Sequence, residues 1–353
     1  MVASQMETQT YPMKKKVAIV ILNWNGKEHL EKFLPSVQMS TYPNLDIIVG
    51  DNGSTDLSTI FIKEHYPTIK LIENKDNLGF AAGYNRVLQQ VDADYFVLLN
   101  SDVEVRADWI EPVIELMEAD KAIGAAQPKI RSFHHRNQFE HAGAAGGYID
   151  WLGYPFCAGR ILETTETDTG QYNHSKEVFW ASGAAFFIRK EAWISAGGFD
   201  KDFFAHMEEI DLCWRLKQLG YKIFYCPQSC VYHVGGGTLH KENPFKTYLN
   251  FRNNLFMLQK NLPFWQAVTI IFIRFWLDFI ALLRFLLEGK KKDALAVSKA
   301  HVNFFRNFGR TAQKRKGIRE KKKVTGVYRA SIIWAYFILG RKTFQHLNPR
   351  KFL

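Results

Sequence analysis

The segment Val17-Ala18-Ile19-Val20-Ile21-Leu22-Asn23-Trp24-Asn25-Gly26 decides the fold. It begins with six apolar residues, several of them β-branched, which is typical of a strand buried on both faces of a parallel sheet. The polar residues and the glycine that follow favour a turn. Six apolar residues are too few for the core of a secretory signal peptide, so we expect a reducing, cytoplasmic setting.

The same alternation of strand and helix patterns continues over the first hundred residues. Further apolar strand patterns occur at 45–49, 69–73 and 95–99, and helical patterns at 30–37, 57–65 and 80–90. Strands that alternate with helices of this length predict an α/β fold: a Rossmann-like, mostly parallel sheet flanked by helices.

Polar side chains follow each predicted strand at the point where it ends. In chain order they are Asn23 and Asn25, Asp51 and Asn52, Asn74 and Asn77, and Asn100 and Asp102. Ligands of such sheets bind at the carboxyl ends of the strands, so these side chains predict a binding site there. Any one of these loops could be ordinary turn chemistry, but four in series favour a functional site.

The charge of the 353-residue chain is unevenly distributed. The net charge is +11, but residues 289–353 hold 18 Lys and Arg against two acidic residues, which leaves residues 1–288 at −5. The chain is therefore an acidic body with a basic C-terminal region. Its four cysteines are too few for a disulfide scaffold at this size.

The last hundred residues suggest contact with a membrane. The range 264–287 is mostly apolar but contains Arg274, Asp278 and Arg284, which fall within an arc of about 120° on a helix. We prefer an amphipathic helix lying at the membrane surface, with a transmembrane helix and a buried core helix as alternatives. Basic residues at 290–292 and 314–323, and a short apolar stretch at 331–340, suit an anionic inner leaflet.

Several acidic residues and one histidine are candidates for chemistry. Asp102 ends the fourth strand, where a carboxylate can hold Mg²⁺ or Mn²⁺. Glu208, Glu209 and Asp211 form a cluster that could supply a general base or simply favour a helix N-terminus. His233 lies beside a glycine run and could bind metal or phosphate, or be structural. No dinucleotide or P-loop glycine motif is present.

Taken together, the motifs resemble those of family 2 glycosyltransferases of the GT-A fold, in a bacterial rhamnosyltransferase-like branch. The resemblance covers roughly residues 15–240. It rests on the segment at 17–26 and on these further motifs: Asp51-Asn52-Gly53-Ser54-Thr55-Asp56, Asn77-Leu78-Gly79-Phe80-Ala81-Ala82-Gly83-Tyr84-Asn85, Leu98-Leu99-Asn100-Ser101-Asp102, Ser182-Gly183-Ala184, Gly197-Gly198-Phe199-Asp200 and the range 203–215.

The resemblance implies an inverting, metal-dependent transfer of a sugar from a nucleotide-diphosphate donor, with Asp102, helped by His233, on Mg²⁺ or Mn²⁺. It places the base at Glu209, where the family usually has Asp, so the choice between Glu208 and Glu209 stays open. Nucleotide contacts are expected from Asn23, Asn25, Asp51, Asn52, Asn77, Gly79, Asn85 and Asn100. Acceptor contacts or support of the site are expected from Ser182, Gly183, Asp211 and Arg215.

The resulting hypothesis is a glycosyltransferase domain over 15–245, with a disordered segment at 1–14 and a helical, basic, membrane-associating extension at 246–353. Residues 130–175 are expected to form a loop-rich insertion near the site. The expected acceptor is a glycan or lipid-linked saccharide for cell-surface polysaccharide, with dTDP-rhamnose as the donor the resemblance suggests. The enzyme would work on the cytoplasmic side of the membrane.

Two alternatives come from other classes. A nucleotide-sensing α/β module could use the basic tail, with Phe304, Phe305 and Phe308, to bind nucleic acid. The apolar helix beside that tail suits lipid better, so we do not expect a nucleic-acid partner. A nucleotidyltransferase would share the sheet and metal but needs a glycine-rich loop after the first strand, which is missing.

Overall fold

A central sheet built on the apolar segment at 17–23 organises the protein. The computed structural model describes residues 14–235, 243–317 and 324–353. The strands are β1 (Val17–Asn23), β2 (Leu45–Asn52), β3 (Lys70–Asn74), β4 (Tyr95–Leu99), β5 (Val103–Val105), β6 (Ile123–Ser132), β7 (Gly147–Asp150), β8 (Pro155–Cys157), β9 (Arg160–Ile161), β10 (Thr164–Thr165), β11 (Lys176–Val178), β12 (Ala185–Arg189), β13 (Lys222–His233) and β14 (Val327–Tyr328).

Helices flank this sheet and then form the C-terminal region. They are α1 (Lys27–Gln38), α2 (Ser58–His65), α3 (Gly79–Leu88), α4 (Glu111–Ala119), α5 (Lys190–Ala196), α6 (Glu208–Leu219), α7 (Pro244–Asn261), α8 (Phe264–Leu287), α9 (Lys291–Arg306), α10 (Phe308–Gln313) and α11 (Ile332–Phe337). The helices predicted at 30–37, 57–65 and 80–90 correspond to α1, α2 and α3.

The sheet has the order β11-β13-β6-β12-β4-β1-β2-β3, with β5 paired to β13. Strands β1 to β4 run parallel to one another, as predicted, with β1 between β2 and β4 and with β2 also paired to β3. On the other side β12 runs antiparallel between β4 and β6, while β13 is parallel to β6. This half is mixed. Strands buried on both faces have the same apolar pattern in either direction, so the sequence does not reveal their orientation.

Side chains of β1 alternate between two apolar cores, as the two-residue period of a strand requires. Ala18 and Val20 pack in one core, and Val17, Ile19 and Ile21 in the other. Helices α1, α2 and α4 cover the second core, while α3, α6 and α7 cover the first. The carboxyl ends of the strands lie between these layers and remain open to a ligand.

The segment at 130–175 is more ordered than the loop-rich insertion we expected. Its short strands form a second sheet in the order β10-β9-β8-β7-β14. Strand β14 comes from the C-terminal region and pairs in parallel with β7, with Val327 opposite Ile149. Runs of two to four residues carry too little periodicity to be recognised in a sequence.

The C-terminal helices share the first core with the central sheet. Leu255 and Met257 of α7, Phe304 of α9 and Ile332 of α11 are buried in the same cluster as Tyr84 of α3. The boundary between 245 and 246 therefore stays a prediction, and the structure shows continuous packing across it.

Helix α8 has the predicted bounds, and two of the three charged residues that share one side of it face the protein. The side chains of Arg274 and Asp278 are buried against the rest of the chain. Arg274 stacks on Tyr154, 3.8 Å from the ring centroid, and Asp278 pairs with His301 at 3.0 Å. Much of the apolar surface of α8 points outward, since Phe272, Trp276 and Ile280 are each more than half exposed. Within the described ranges, no helix is long and apolar enough to cross a bilayer.

Some predictions fall partly or wholly outside the described residues. These are the disordered segment at 1–14 apart from Lys14, the glycine run beyond Gly235, and the basic cluster beyond Gly317. The four cysteines are described and unpaired, in agreement with the absence of a disulfide scaffold.

Candidate active site

A cavity of about 1250 Å³ lies at the carboxyl ends of β1, β2 and β4. This is the edge at which parallel α/β sheets bind ligands. Most of the residues predicted from the sequence line it: Asn23, Asn25, Asn52, Asn77, Gly79, Asn100, Asp102, Ser182, Gly183, Glu208, Glu209 and His233. The fold thus brings together residues that are far apart in the sequence.

Asn23 lies at the end of β1 and is oriented by Asp51 at the end of β2. These two residues are register partners in the parallel pair. The Asn23 amide donates to Asp51 Oδ1 at 3.1 Å, and the backbone N–H of Ser54 donates to Asp51 Oδ2 at 2.9 Å. Asp51 is buried and is not among the cavity-lining residues. The buried Oδ1 of Asn23 has no partner among the described residues, so it is available to a ligand.

Asn25 and Asn52 shape the loops around the cavity. Asn25 has φ of 50°, a left-handed conformation that asparagine tolerates better than most residues, and its Oδ1 accepts the backbone N–H of Thr55 at 2.7 Å. Asn52 donates to Asn77 Oδ1 at 3.0 Å and to the Gly79 carbonyl at 3.1 Å. Gly79 has φ of 75°, and a Cβ there would lie 2.4 Å from the Phe204 ring. Only glycine fits this approach.

Asp102, His233 and Glu140 form a buried charge cluster at the cavity wall. His233 Nε2 lies 3.2 Å from Asp102 Oδ1, and His233 Nδ1 lies 3.1 Å from Glu140 Oε2. Burial alone would lower the pKa of His233, but the two carboxylates raise it to about 10. Burial alone would raise the pKa of Asp102, but His233 holds it below its ordinary value. The cluster thus stabilises a positive charge between two carboxylates.

The cluster has the chemistry of a site for a divalent cation. A carboxylate and a neutral imidazole are ligands that Mn²⁺ accepts, so a bound cation would replace the Nε2 proton of His233, and the carboxylates already favour positive charge at this point. Residues 14–235, 243–317 and 324–353 contain no group of three His, Cys, Asp or Glu side chains arranged to hold a metal alone. Mg²⁺ is commonly held by one or two carboxylates together with substrate phosphates, so a small protein ligand set is sufficient.

Glu208 and Glu209 begin α6 and also line the cavity. Oε2 of each is buried and has no hydrogen-bond partner in the described part of the chain. Burial, and then the charge of Glu209, raises the pKa of Glu208 well above its ordinary value. Burial raises the pKa of Glu209 to about 7. Burial therefore favours the protonated form of Glu208, while Glu209 can exchange a proton near neutral pH.

The loop before α6 is held in an unusual backbone conformation. Phe204, His206 and Met207 have φ values of 64°, 67° and 71°. Each such non-glycine residue costs on the order of 1–3 kcal/mol, and such residues persist where surrounding contacts fix them. Burial, with the charge of Lys246, lowers the pKa of His206 to about 4, so this cavity-lining imidazole is neutral.

Helix α7 supplies the contacts that fix this loop. The side-chain amide of Asn253 donates to the carbonyls of Phe203, Ala205 and His206 at 2.9, 2.8 and 2.7 Å. Arg252 donates to the Phe203 carbonyl at 3.0 Å. A residue from the C-terminal region thus determines the backbone path that leads into Glu208 and Glu209.

Ion pairs from the C-terminal region hold the same segment. Lys260 lies between Asp200 Oδ2, at 2.6 Å, and Asp211 Oδ2, at 2.9 Å. Lys314 pairs with Asp200 and with Asp202, the latter at 2.6 Å. We expected Lys314 to belong to a membrane-binding basic run, but it forms ion pairs with the segment that precedes α6 instead. Residue type alone does not distinguish a lysine that faces lipid from one that pairs with a distant Asp.

Four predicted residues do not line the cavity. Asp51 acts through Asn23, as described. Asn85 exchanges hydrogen bonds with the backbone of Phe199, at 2.8 and 3.0 Å. Arg215 donates to Asp211 and to the Gly198 carbonyl. The direct nucleotide contact expected of Asn85 is therefore not supported, since both its amide atoms are used within the protein, whereas Asp211 and Arg215 support the site.

Ser182 and Gly183, both predicted from the sequence, also line the cavity, whereas two other cavity-lining residues were not predicted. Ser182 donates to the Ala142 carbonyl at 2.8 Å, and Gly183 lies against Phe80. Glu140 was missed because it lies in the insertion, where no pattern marks it. His206 was missed although it precedes Glu208 by two residues, a position that could have drawn attention to it.

The central sheet with flanking helices and the cavity at its strand ends are those of a GT-A glycosyltransferase fold. Solved structures of this type are similar in fold. GalNAc-T7 with UDP, GalNAc and Mn²⁺ gives a TM-score of 0.54 at 16% identity, over 70% of this chain and 48% of that chain. A mannosyltransferase from Pyrobaculum calidifontis in complex with GDP-Man and Mn²⁺ gives 0.51 at 15% identity, over 88% and 86%. The chain thus spans about half of the GalNAc-T7 chain.

The family assignment follows from the sequence comparisons. The model for glycosyl transferase family 2 matches residues 18–193, and the chain belongs to this family. It is 26% identical over 271 residues to the N-acetylglucosaminyl-diphospho-decaprenol L-rhamnosyltransferase of Mycobacterium tuberculosis, over 72% of this chain and 88% of that protein. It is 27% identical to the poly-beta-1,6-N-acetyl-D-glucosamine synthase of Staphylococcus aureus, over 63% and 51%. The protein is a family 2 glycosyltransferase, rhamnosyltransferase-like, and an enzyme rather than a nucleotide-sensing module.

Proposed function

We propose that this enzyme transfers a sugar, with inversion, from a nucleotide-diphosphate donor to a glycan or lipid-linked saccharide. The observation that carries the proposal is the shared cavity lined by the strand-end residues, by Asp102 with His233, and by Glu208 with Glu209. In this proposal the strand-end residues bind the nucleotide, Asp102 with His233 serves the diphosphate, and Glu208 with Glu209 serves the acceptor.

The strand ends bind the nucleotide in this proposal. Asn23 presents its unpartnered Oδ1, held in place by Asp51, and Asn52 and Asn77 fix the neighbouring loop. Asn25 and Gly79 keep that loop close to the cavity, and Asn100 adds an amide between the nucleotide and His233. These groups bind a base and ribose by hydrogen bonds.

Asp102 and His233 would hold Mg²⁺ or Mn²⁺ at the diphosphate. A bound divalent cation offsets the negative charge that develops on the leaving nucleoside diphosphate. Glu140 contacts the far nitrogen of His233 and thereby fixes the orientation of the ring. The divalent cation is part of the proposal, supported by the donor set.

Glu209 takes the proton of the acceptor hydroxyl. Its pKa of about 7 leaves it partly ionised at neutral pH, which suits a general base. The hydroxyl oxygen forms the new bond to the anomeric carbon as the bond to the diphosphate breaks, so one displacement inverts that carbon. Burial and the charge of Glu209 favour the uncharged form of the neighbouring Glu208.

The relatives guide the choice of donor and acceptor. We take dTDP-rhamnose as the first donor to test and a lipid-linked saccharide as the acceptor, because the mycobacterial relative is named as a rhamnosyltransferase acting on such a lipid. The role is then in cell-surface polysaccharide synthesis, at the cytoplasmic face of the membrane.

The test is release of nucleoside diphosphate from a panel of sugar nucleotides with Mn²⁺ or Mg²⁺. We expect one donor to be used by the wild type, and Asp102→Asn and Glu209→Gln to lose most of that activity. Asp108→Asn, on the exposed side chain after β5, is the matched control and keeps it. Full activity in both site variants would overturn the residue assignments.

A further inference from the structure

The outward face of α8 is an extended apolar surface. Its residues recur at spacings of three and four, so they form one stripe along the helix. More than two-fifths of each side chain is exposed in Phe264, Trp265, Val268, Phe272, Trp276, Phe279, Ile280, Leu283, Leu286 and Leu287. An extended apolar stripe on a solvent-exposed surface marks an interaction site.

Helix α11 extends the same surface. Trp334, Phe337, Ile338 and Leu339 are exposed, and the Arg284 guanidinium lies 5.6 Å from the Phe337 ring. The contact between α8 and α11 makes one patch, which we call the α8–α11 face.

Basic side chains border this face at the C-terminal end of α8. Lys291, Lys292 and Lys342 are exposed or half-buried there. Arg284 and Lys290 are also solvent-accessible, and both pair with Glu288. The border is therefore positive beside an apolar stripe.

We propose that the α8–α11 face docks flat on an anionic lipid bilayer and makes the enzyme a monotopic membrane protein. Apolar side chains with aromatic rings enter the headgroup boundary, while the lysines contact anionic headgroups. The buried Arg274 and Asp278 cannot turn outward without breaking their contacts, so the apolar side must face the bilayer. An anionic bilayer complements both the apolar stripe and the basic border, whereas a second copy of this face is itself apolar with a basic border, so the bilayer is the better occupant.

The same end of the molecule carries the cavity. Phe245 and Lys246, at the start of α7, line the cavity, and the adjacent Thr247 donates to Asp293 at 2.6 Å. Asp293 follows Lys290, Lys291 and Lys292 directly. This arrangement rests on the proposed function in one respect: a lipid-linked acceptor embedded in the bilayer would meet the cavity beside the basic border.

Vesicle flotation of the full chain tests the docking face. The probes are vesicles of phosphatidylcholine alone and with about 30 mol % phosphatidylglycerol. The test variant carries Phe272→Ser, Trp276→Ser and Ile280→Ser. The matched control carries Met39→Ser, Ile60→Ser and Ile194→Ser, equally exposed apolar residues on other elements.

We expect the wild type and the control to float with the anionic vesicles, and the test variant to bind them at least tenfold more weakly. Lys291→Glu with Lys292→Glu should weaken binding to anionic vesicles and leave binding to neutral ones unchanged. Flotation of the test variant at the wild-type level would overturn the proposal. The proposal would also be overturned if light scattering showed that the wild type is a dimer, and if the α8 substitutions dissociated that dimer without changing flotation.

Donor turnover in the absence of vesicles separates this proposal from the proposed function. The substituted α8 residues do not line the cavity, so the test variant should release nucleoside diphosphate at the wild-type rate and unfold at the wild-type temperature. If no sugar nucleotide is used by any variant, the proposed function fails while the flotation result still decides the docking face.

Discussion

His233 Nε2 lies 3.2 Å from Asp102 Oδ1, and both side chains are buried at the wall of the cavity. The pair joins the end of β13 to the loop after β4, so it exists only when the mixed half of the sheet is assembled. Glu208 and Glu209 line the same cavity.

Substitution of Glu140 tests the support of His233. We expect Glu140→Gln to weaken Mn²⁺ binding by about tenfold to a hundredfold, because it removes the carboxylate that orients the ring. Binding is measured by titration calorimetry in the presence of the nucleoside diphosphate. Glu104→Gln, an acidic residue paired with Arg136, is the control. Equal Mn²⁺ affinity of the wild type and Glu140→Gln would show that Glu140 does not support the metal site.

Separate substitution of the two glutamates identifies the base. Glu209→Gln should lower kcat by about 10²- to 10⁴-fold, the usual contribution of a general base. Glu208→Gln should cost much less, because burial and the charge of Glu209 favour the protonated form of Glu208, which an uncharged glutamine resembles. Steady-state kinetics with the preferred donor make the comparison. A larger loss in Glu208→Gln would reverse the assignment.

The pH dependence of kcat/KM follows from the pKa of Glu209. Burial raises that pKa to about 7, and the base acts only when ionised. Activity should therefore fall about tenfold per pH unit as the pH decreases below 7, and level off above it. In Glu209→Gln this acidic limb should disappear. A limb centred near pH 4.5 in the wild type would contradict the assignment, since 4.5 is the ordinary value for a glutamate.

Asn253 should affect turnover although it does not line the cavity. Asn253→Ala removes three hydrogen bonds to the loop before α6, and we expect kcat to fall by roughly tenfold to a hundredfold as the carboxylates lose their position. Asn250→Ala, one turn earlier on α7, is the matched control. Unchanged kcat in Asn253→Ala would show that the loop holds its conformation without α7.

Lys260 should matter mainly for stability. It is buried between Asp200 and Asp211, and Lys260→Met leaves both carboxylates without their shared cation. Removal of one member of a buried ion pair costs about 3–5 kcal/mol, which should appear in the free energy of unfolding by urea. Lys299→Met, on the exposed side of α9, should change it by less than about 0.5 kcal/mol.

The sequence is sufficient to predict the first half of the fold and most of the site. Each of the first four strands is an apolar run that ends in polar residues, and parallel pairing brings those ends to one edge. The amino-acid pattern therefore places Asn23, Asn52 and Asp102 together. The helix at 208–219 is equally clear, because acidic residues open it and Gly220 ends it.

What could not be predicted depends on contacts between distant segments. A helical wheel shows that Arg274 and Asp278 share one side of α8, but not whether that side faces water or protein. Stacking of Arg274 on Tyr154 decides it, and Tyr154 lies far away in the sequence, in an insertion without periodicity. The position of Glu140 and the pairing of β14 with β7 also depend on contacts between distant segments, so the sequence pattern does not reveal them.

The pairing of β14 with β7 also bears on how the enzyme is made. Synthesis proceeds from the N-terminus, so the strand ends that carry Asn23 and Asn52 leave the ribosome long before Asn253, Lys260, Lys314 and β14. A nascent chain can therefore form its nucleotide-facing edge while the loop leading to Glu209 still lacks the contacts that fix it. Catalytic competence is consequently acquired late in translation, after the apolar face of α8 has already emerged.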